Sequence, residues 1–243
     1  MKAMIFAAGL GTRLKPLTGK VPKALVEING RPLLEIIINR LIRYGFNDLI
    51  INVHHLSDMV IDFIDNHKFN ADITISDETE ELLDTGGGLK KASWFFNDNK
   101  PFMVHNVDVL TDLDLKALYD SHCSSGSIAT LAVKQRDTSR YFLFGDNDIL
   151  CGWKNISTGE EIITGKSSSH LRSLAFSGIQ VLSPDIFNYI TEKGKFSMTG
   201  VYIRLAKENR IKGFIHNESL WIDIGKKETL PEAGKILKKI QDA

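Results

Sequence analysis

Apolar positions fall into short runs along the chain, and their spacing alternates between strand and helix periods over the first 135 residues. Residues 3–8 form an apolar run that ends in a glycine turn, which predicts a buried first strand. From 33 to 44 the apolar residues recur at helical spacing and stop at Gly45, which predicts a helix closed by a C-terminal glycine cap. A β-branched run at 49–53 reads as a second strand, Ser57 caps a predicted helix to 66, residues 73–76 resume a strand, and 88–96 read as a helix. Strand 102–105, helix 115–122 and strand 128–134 continue the alternation. Repeated β-then-α units predict an α/β fold: three Rossmann-like layers, with a mostly parallel central sheet and ligands at the carboxyl ends of its strands.

Beyond 141 the pattern changes. Residues 141–156 read as short strands. The polar stretch 157–173, with Gly159, Gly165 and serines 167–169, reads as a mobile loop and a candidate lid. Strand 174–182, helices 184–192 and 198–208, strands 211–215 and 220–224, and a helix over 227–240 are predicted to complete the chain. Nothing repeats at a period of 20 to 50 residues. A chain of 243 residues can bury one large α/β core, and one domain over 1–243 is expected.

Composition narrows the function classes. With 30 basic and 30 acidic residues the formal net charge is zero, so nothing pulls the whole surface toward nucleic acid or an anionic membrane, and a phosphate ligand has to be held locally. Cys123 and Cys151 lack zinc-ligand spacing and read as reduced thiols. With no basic-then-apolar leader and no long apolar run, neither export nor membrane insertion is expected, and the expected location is the cytoplasm.

Chemistry concentrates in residues 2–23, KAMIFAAGLGTRLKPLTGKVPK. The turn Gly9-Leu10-Gly11-Thr12 follows the first strand, where small residues let backbone N–H groups face an anion. Arg13 adds a permanently charged fork, and Lys23, fixed after Pro22, adds a point charge. The combination reads as a triphosphate site. A dinucleotide fingerprint is excluded because Leu14 stands where the third glycine belongs and the next strand ends in Val53-His54-His55 instead of an acid; no Walker loop occurs.

Asp108, in VHNVDVL, and Asp223, in LWIDIG, each end an apolar strand. Either alone reads equally well as a turn carboxylate. Together they fit Mg2+, which takes one or two protein carboxylates and completes its shell with phosphates and water, provided the two strands meet. Thr85-Gly86-Gly87-Gly88 removes side chains where a flat ring or ribose can lie, or else forms a loose turn before a helix. In the acidic run 77–84, Glu78 and Glu80 read as a solvated face, and His54 and His55 as satisfied loop histidines.

The segments FAAGLGTRLKPLT and PKAL resemble the signature of the sugar-1-phosphate nucleotidyltransferases. The resemblance continues through ELLDTGGGL, in which Asp84 replaces a glycine of the family pattern, and through NVD, FSGIQVL and WIDIG, nearly the whole chain. It implies a substrate pair of nucleoside triphosphate and sugar 1-phosphate, with Arg13, Lys23 and Asp108 catalytic and Asp108 and Asp223 holding Mg2+. It implies nucleotide contacts at Ala7, Gly9, Gly11, Thr12, Glu81, Gly86 and Gly87, sugar contacts at Asn106, Ser177 and Gly178, and a sugar-side subregion at 141–224. Compact length, TGGG and FSGI are most similar to the N-acetylmuramate 1-phosphate uridylyltransferases and next to the mannose-1-phosphate guanylyltransferases. The Glu-Lys-Pro triplet that many relatives use near the sugar is absent, and CGWKN occupies that region.

A sugar 1-phosphate, with a second pKa of about 6, is largely dianionic at neutral pH and needs no general base. Positioning and charge neutralisation are what the protein has to supply. Two other readings stay open at this point: a catalytically silent nucleotide-sugar sensor, and a transferase using CTP and an alcohol phosphate.

Overall fold

The computed structural model describes residues 1–164 and 170–242. In chain order its elements are β1 (Lys2–Phe6), β2 (Glu27–Ile28), β3 (Arg31–Pro32), α1 (Leu33–Arg43), β4 (Asp48–Val53), α2 (Ser57–Asn66), β5 (Asp72–Asp77), α3 (Asp84–Lys91), β6 (Phe102–Asn106), β7 (Val109–Thr111) and α4 (Leu115–Ser125). They continue with β8 (Ala129–Lys134), β9 (Arg140–Phe144), β10 (Leu150–Asn155), β11 (Glu160–Ile163), β12 (Arg172–Leu182), α5 (Ile186–Tyr189), α6 (Met198–Leu205), β13 (Ile211–Ile215), β14 (Trp221–Asp223) and α7 (Leu230–Asp242). The fold is mixed α/β with a central, mostly parallel sheet, as the alternating pattern predicts.

The chain forms two compact units. One comprises 1–84, 104–115 and 219–243, the other 85–103 and 116–218. Asp223, placed with 141–224 by the sequence, thus belongs to the first unit.

In the first unit β1 pairs in parallel with β4, and β4 with β5, in continuous register from Lys2↔Asp48 and Asp48↔Asp72. These strands are parallel because the chain returns through helices between them, and β1 and β4 are almost wholly apolar because such strands bury both faces. Helix α1 buries Leu33, Leu34, Ile36, Ile37, Ile38 and Leu41. It stops as predicted: Gly45 adopts φ 81° and donates its N–H to Ile42 O at 2.9 Å, while Phe46 donates to Leu41 O at 3.0 Å. That pair of bonds satisfies the last carbonyls and requires the left-handed backbone glycine supplies. The short strands β7 and β14 pair antiparallel, with Asp223 opposite Val109.

In the second unit β13 pairs in parallel with β8, while β9, β10, β11 and β12 join antiparallel. Between Phe176↔Val133 and Gln180↔Leu131 the β12–β8 register breaks, and Gly178 within the break has φ 77°. Two corrections arise here. The stretch expected as a loop from 157 contains β11, hairpinned onto β10 with Gly152↔Ile163, and Thr164 Oγ1 bonds Cys151 O at 3.0 Å. Its polar composition hid a solvent-facing edge strand, and residues 165–169 of the expected lid lie outside the described residues. Likewise the helix expected at 88–96 begins at Asp84 and ends at Lys91, so Gly86, Gly87 and Gly88 lie inside its first turns rather than in a turn before it.

Candidate active site

In the first unit, Gly11 opens the loop after β1 with φ 61°, and a Cβ there would lie 2.8 Å from Thr18 Cγ2 and 3.2 Å from Lys23 Cβ. Only glycine allows both that backbone and that approach. Thr18 is fully buried and donates its hydroxyl to Gly11 O at 2.7 Å, closing the loop on itself. Gly9, Thr12 and Arg13 are exposed on it.

The four charged residues expected to carry chemistry converge here. Lys23, which is buried, forms an ion pair with Asp108 through Nζ and Oδ2. Asp108 is brought to Asp223 by the β7–β14 ladder, because Ile224 N–H donates to Asp108 O at 2.8 Å and Asp223 stands opposite Val109. Arg13 reaches the same place: a Cβ on Gly225 would lie 2.9 Å from Arg13 Nη2 and 3.2 Å from Asp223 Oδ2. Gly225 therefore makes room for the guanidinium beside the carboxylate. The strands meet, which was the condition for a shared cation site. No group of three or more His, Cys, Asp or Glu placed to hold a metal occurs among the described residues.

A polar relay fixes the floor of this loop. Ala7 N–H donates to Asn52 Oδ1 at 2.7 Å, Asn52 Nδ2 donates to Glu78 Oε1 at 2.8 Å, and Leu83 N–H donates to Glu78 Oε2 at 3.3 Å. Glu78 is 1% exposed, which corrects its reading as a solvated face. A buried carboxylate is tolerated only with such donors. Ala7's N–H is thereby committed, so a nucleotide contact by that group is not open in this structure. Glu80 and Glu81 are exposed, and Glu81 remains accessible. His54 Nδ1 lies 2.6 Å from Glu78 O, and His55 Nε2 is 3.3 Å from Thr18 O, in keeping with satisfied loop histidines. Asp84 has φ 59°, so the side chain replacing the family's glycine is one of the few that tolerate that backbone. Asn106 ends β6, its carbonyl 2.8 Å from His105 Nδ1.

The second unit treats its expected contacts differently. Gly86 and Gly87 donate their N–H groups to Phe196 O at 2.8 and 3.3 Å, and a Cβ on Gly86 would lie 2.3 Å from the Phe196 ring. At Gly86 the missing side chain makes room for the Phe196 ring. Ser177 is fully buried, and its Oγ lies 2.8 Å from His216 Nε2. Its hydroxyl is enclosed, so the expected sugar contact cannot be made by that group as it stands; Gly178 is buried at the register break. Burial pushes His216 down to about 4, helped by the charges of Lys134 and Arg136, so the ring is neutral at pH 7.

Sequence reasoning missed Asn52, Glu78, Gly225 and His216. Asn52 carried a signal, a polar residue inside the apolar run DLIINV, and Gly225 stood in the WIDIG segment already singled out.

The described residues contain no helix long and apolar enough to cross a membrane. A family model for Nucleotidyl transferase matches residues 2–240. The chain is 31% identical over 234 residues to the N-acetylmuramate alpha-1-phosphate uridylyltransferase of Neisseria meningitidis serogroup B, covering 96% of each chain. It is 31% identical over 245 residues to mannose-1-phosphate guanyltransferase 2 of Candida glabrata, covering 99% of this chain and 66% of that one. To the UTP–glucose-1-phosphate uridylyltransferase of Synechocystis sp. it is 30% identical over 244 residues, covering 93% and 60%. The chain thus spans less than two thirds of those last two proteins. Among solved structures, UDP-glucose pyrophosphorylase complexed with UDP-glucose superposes with a TM-score of 0.77 at 18% identity over 98% of both chains. HddC from Yersinia pseudotuberculosis does so with 0.74 at 24% identity over 97% of this chain and 99% of that one. These structural likenesses show the fold.

Proposed function

The chain belongs to the nucleotidyl transferase family, and from that premise we propose that it joins a nucleoside triphosphate to a sugar 1-phosphate, giving an NDP-sugar and pyrophosphate. The observation that carries this reading is the convergence of Arg13, Lys23, Asp108 and Asp223 in the first unit. A phosphate oxygen of the sugar 1-phosphate attacks the α-phosphorus, a new P–O bond forms, and the bond from that phosphorus to the β-phosphate oxygen breaks, its electrons leaving with pyrophosphate. Arg13 takes the departing charge with its fork, and the exposed Gly9 and Thr12, with the half-buried Gly11 between them, present the loop's backbone to the phosphates. Glu81 serves the nucleoside.

Lys23 has two partners in turn. In the free protein its ammonium neutralises Asp108; with a triphosphate present it turns to the oxygens near the α-phosphorus. The donor set would suit a divalent cation, since the β7–β14 ladder sets the backbones of two aspartates beside one another, and carboxylates are hard oxygen ligands of the kind and number magnesium takes from a protein. Asp108 and Asp223 would hold Mg2+, which when bound neutralises phosphate charge in transfer chemistry.

For the product we favour UDP-N-acetylmuramate, a cell-wall precursor, with GDP-mannose the alternative, because the TGGG and FSGI segments are most similar to those of the N-acetylmuramate 1-phosphate uridylyltransferases. An array of the four common NTPs against a panel of sugar 1-phosphates with Mg2+, read by pyrophosphate release, tests the reading. Release with at least one pair supports it. Tight nucleotide-sugar binding without release from any pair leaves the silent sensor instead.

A further inference from the structure

Glu78 is the one buried carboxylate among the described residues, and it stands in the first unit where two segments of the proposed nucleotide site meet. Its N–H donates to Val53 O at 2.8 Å, which ties it to the end of β4. Its carbonyl accepts the Glu81 N–H at 3.1 Å and lies 2.6 Å from His54 Nδ1. Its carboxylate takes Asn52 Nδ2 on one oxygen and the Leu83 N–H on the other. Asn52, also buried, turns its own oxygen to the Ala7 N–H at 2.7 Å, where the phosphate loop leaves β1.

This relay has a backbone N–H at each end, Ala7 and Leu83, and an N–H can only donate. The side chains between them therefore have to present an acceptor at both ends. Asn52 has one oxygen and one NH2, so an oxygen facing Ala7 leaves the NH2 facing Glu78, and Glu78 must then accept on both of its oxygens. A carboxylate does this; a glutamine, with a single oxygen, does not. Both side chains are too deeply buried to meet a substrate themselves. What they hold is the backbone on either side: the start of the loop that carries Gly9 to Arg13, and the segment that carries the exposed Glu81. A buried network with every member satisfied fixes such segments in one arrangement.

We infer that Glu78, acting through Asn52, is a positioning residue for the nucleoside triphosphate, keeping the phosphate loop and the Glu81 segment in mutual register. The inference rests on the nucleotidyl-transfer reading above and adds to it two residues that touch neither substrate.

Glu78→Gln is the direct test, because it keeps the shape and removes one acceptor, so that the Leu83 N–H or, with Asn52 turned over, the Ala7 N–H loses its partner. With a substrate pair that the wild type uses, and below the melting midpoint of each variant, KM for the NTP is expected to rise about 10-fold or more, the scale of small misplacements, while KM for the sugar 1-phosphate at saturating NTP stays the same. Asn52→Ala should show the same split, and the double variant should be little worse than the poorer single one, because both break one relay. If Glu78→Gln does not fold, Asn52→Leu combined with Glu78→Met replaces both partners by apolar groups, leaves no lone buried charge, and carries the same expectation. A merely structural role lowers the fraction of active molecules and leaves both KM values where they were. That result overturns the proposal, as does an equal rise in both. If the wild type releases pyrophosphate with no pair, the transfer reading has failed, and calorimetric titration of ATP, CTP, GTP and UTP with Mg2+ into wild type and Glu78→Gln decides the positioning role. Weaker binding by the variant upholds it; equal binding, or no binding of any of them by the wild type, overturns it.

Discussion

Arg13 in the first unit and Ser177 in the second were both expected to meet ligand, and the structure puts them in opposite conditions. Arg13 is exposed on a loop whose own backbone is tied down by Thr18, and its tip stands beside Asp223 at Gly225. Ser177 is fully buried with its hydroxyl held to His216. In the first unit, then, rigidity comes from uncharged or buried groups, Thr18, Asn52 and Glu78, and the Arg13 guanidinium is left near the surface. In the second, the polar residues of the quoted motif are the scaffold itself. A residue's presence in a motif does not separate these roles; its hydrogen-bond partners do.

The sharpest test of the difference is Arg13→Ala. If the guanidinium stabilises departing pyrophosphate, turnover at saturating NTP should fall roughly 10²- to 10³-fold, as when one transition-state donor is lost. Because the side chain is exposed, the melting temperature should hold. Unchanged turnover would remove Arg13 from the chemistry.

The carboxylate pair comes next. Asp108→Asn and Asp223→Asn should each raise the Mg2+ needed for half-maximal rate by at least ~10-fold, the low end of what losing even an outer-shell partner costs a metal site. Asp108→Asn carries a second signature, since it also leaves the buried Lys23 ammonium without its ion-pair partner and should lower stability, whereas Asp223→Asn should not. Magnesium titrations alongside thermal melts read both. Identical half-saturation in both variants would dissolve the shared site.

Much of this was legible in the sequence. The period-2 and period-3.6 runs located β1, α1 and β4, and Gly45 announced its own cap because a left-handed C-terminal residue is a local requirement. Asp108 and Asp223 were visible as charges at strand ends, and Arg13 and Lys23 as cations on the glycine turn and after Pro22. What lay hidden was pairing. Nothing in VDVL or LWIDIG states that β7 will ladder onto β14, and nothing in DETEEL separates buried Glu78 from exposed Glu80, because burial there depends on Asn52, 26 positions away. The edge strand β11 escaped for the opposite reason, as an exposed strand reads polar on its own.

Two glycines turn the comparison into a paired measurement. At Gly225 an added Cβ meets the movable tip of Arg13 at 2.9 Å, so Gly225→Ala should displace the guanidinium and lower kcat by about 10-fold or more, consistent with what small misplacements cost, while the fold persists. At Gly86 the Cβ would meet the Phe196 ring at 2.3 Å and Phe196 O at 2.9 Å, and a backbone oxygen cannot swing aside. Gly86→Ala should therefore cost stability, ~1–3 kcal/mol as for overpacking. Parallel melting curves and kcat values check the contrast, and equal losses of stability in the two variants would erase it.

The smallest effect expected is acid sensitivity, and it belongs to the second unit. Burial lowers His216 and His122 to about 4, below the ordinary histidine value, and Lys134 and Arg136 reinforce the shift at His216. Both rings have hydrogen-bonding partners as neutral groups: His216 faces Ser177, while His122 lies between Thr130 Oγ1 at 2.9 Å and Ser183 Oγ at 3.0 Å. Between the unfolded value near 6.5 and the folded value near 4, the unfolded chain binds protons that the folded one refuses. The stability these rings contribute is therefore complete above pH 6.5 and is lost as pH falls toward 4. His216→Gln keeps an amide able to bond Ser177 but cannot titrate, so the fall in stability over that window should be shallower by up to one proton, at most about 1.4 kcal/mol per pH unit. Urea melts of wild type and variant at pH 7, 6 and 5 measure it; parallel slopes would show that His216 takes up its proton equally in both states, and that the Ser177 pairing does not depend on a neutral ring.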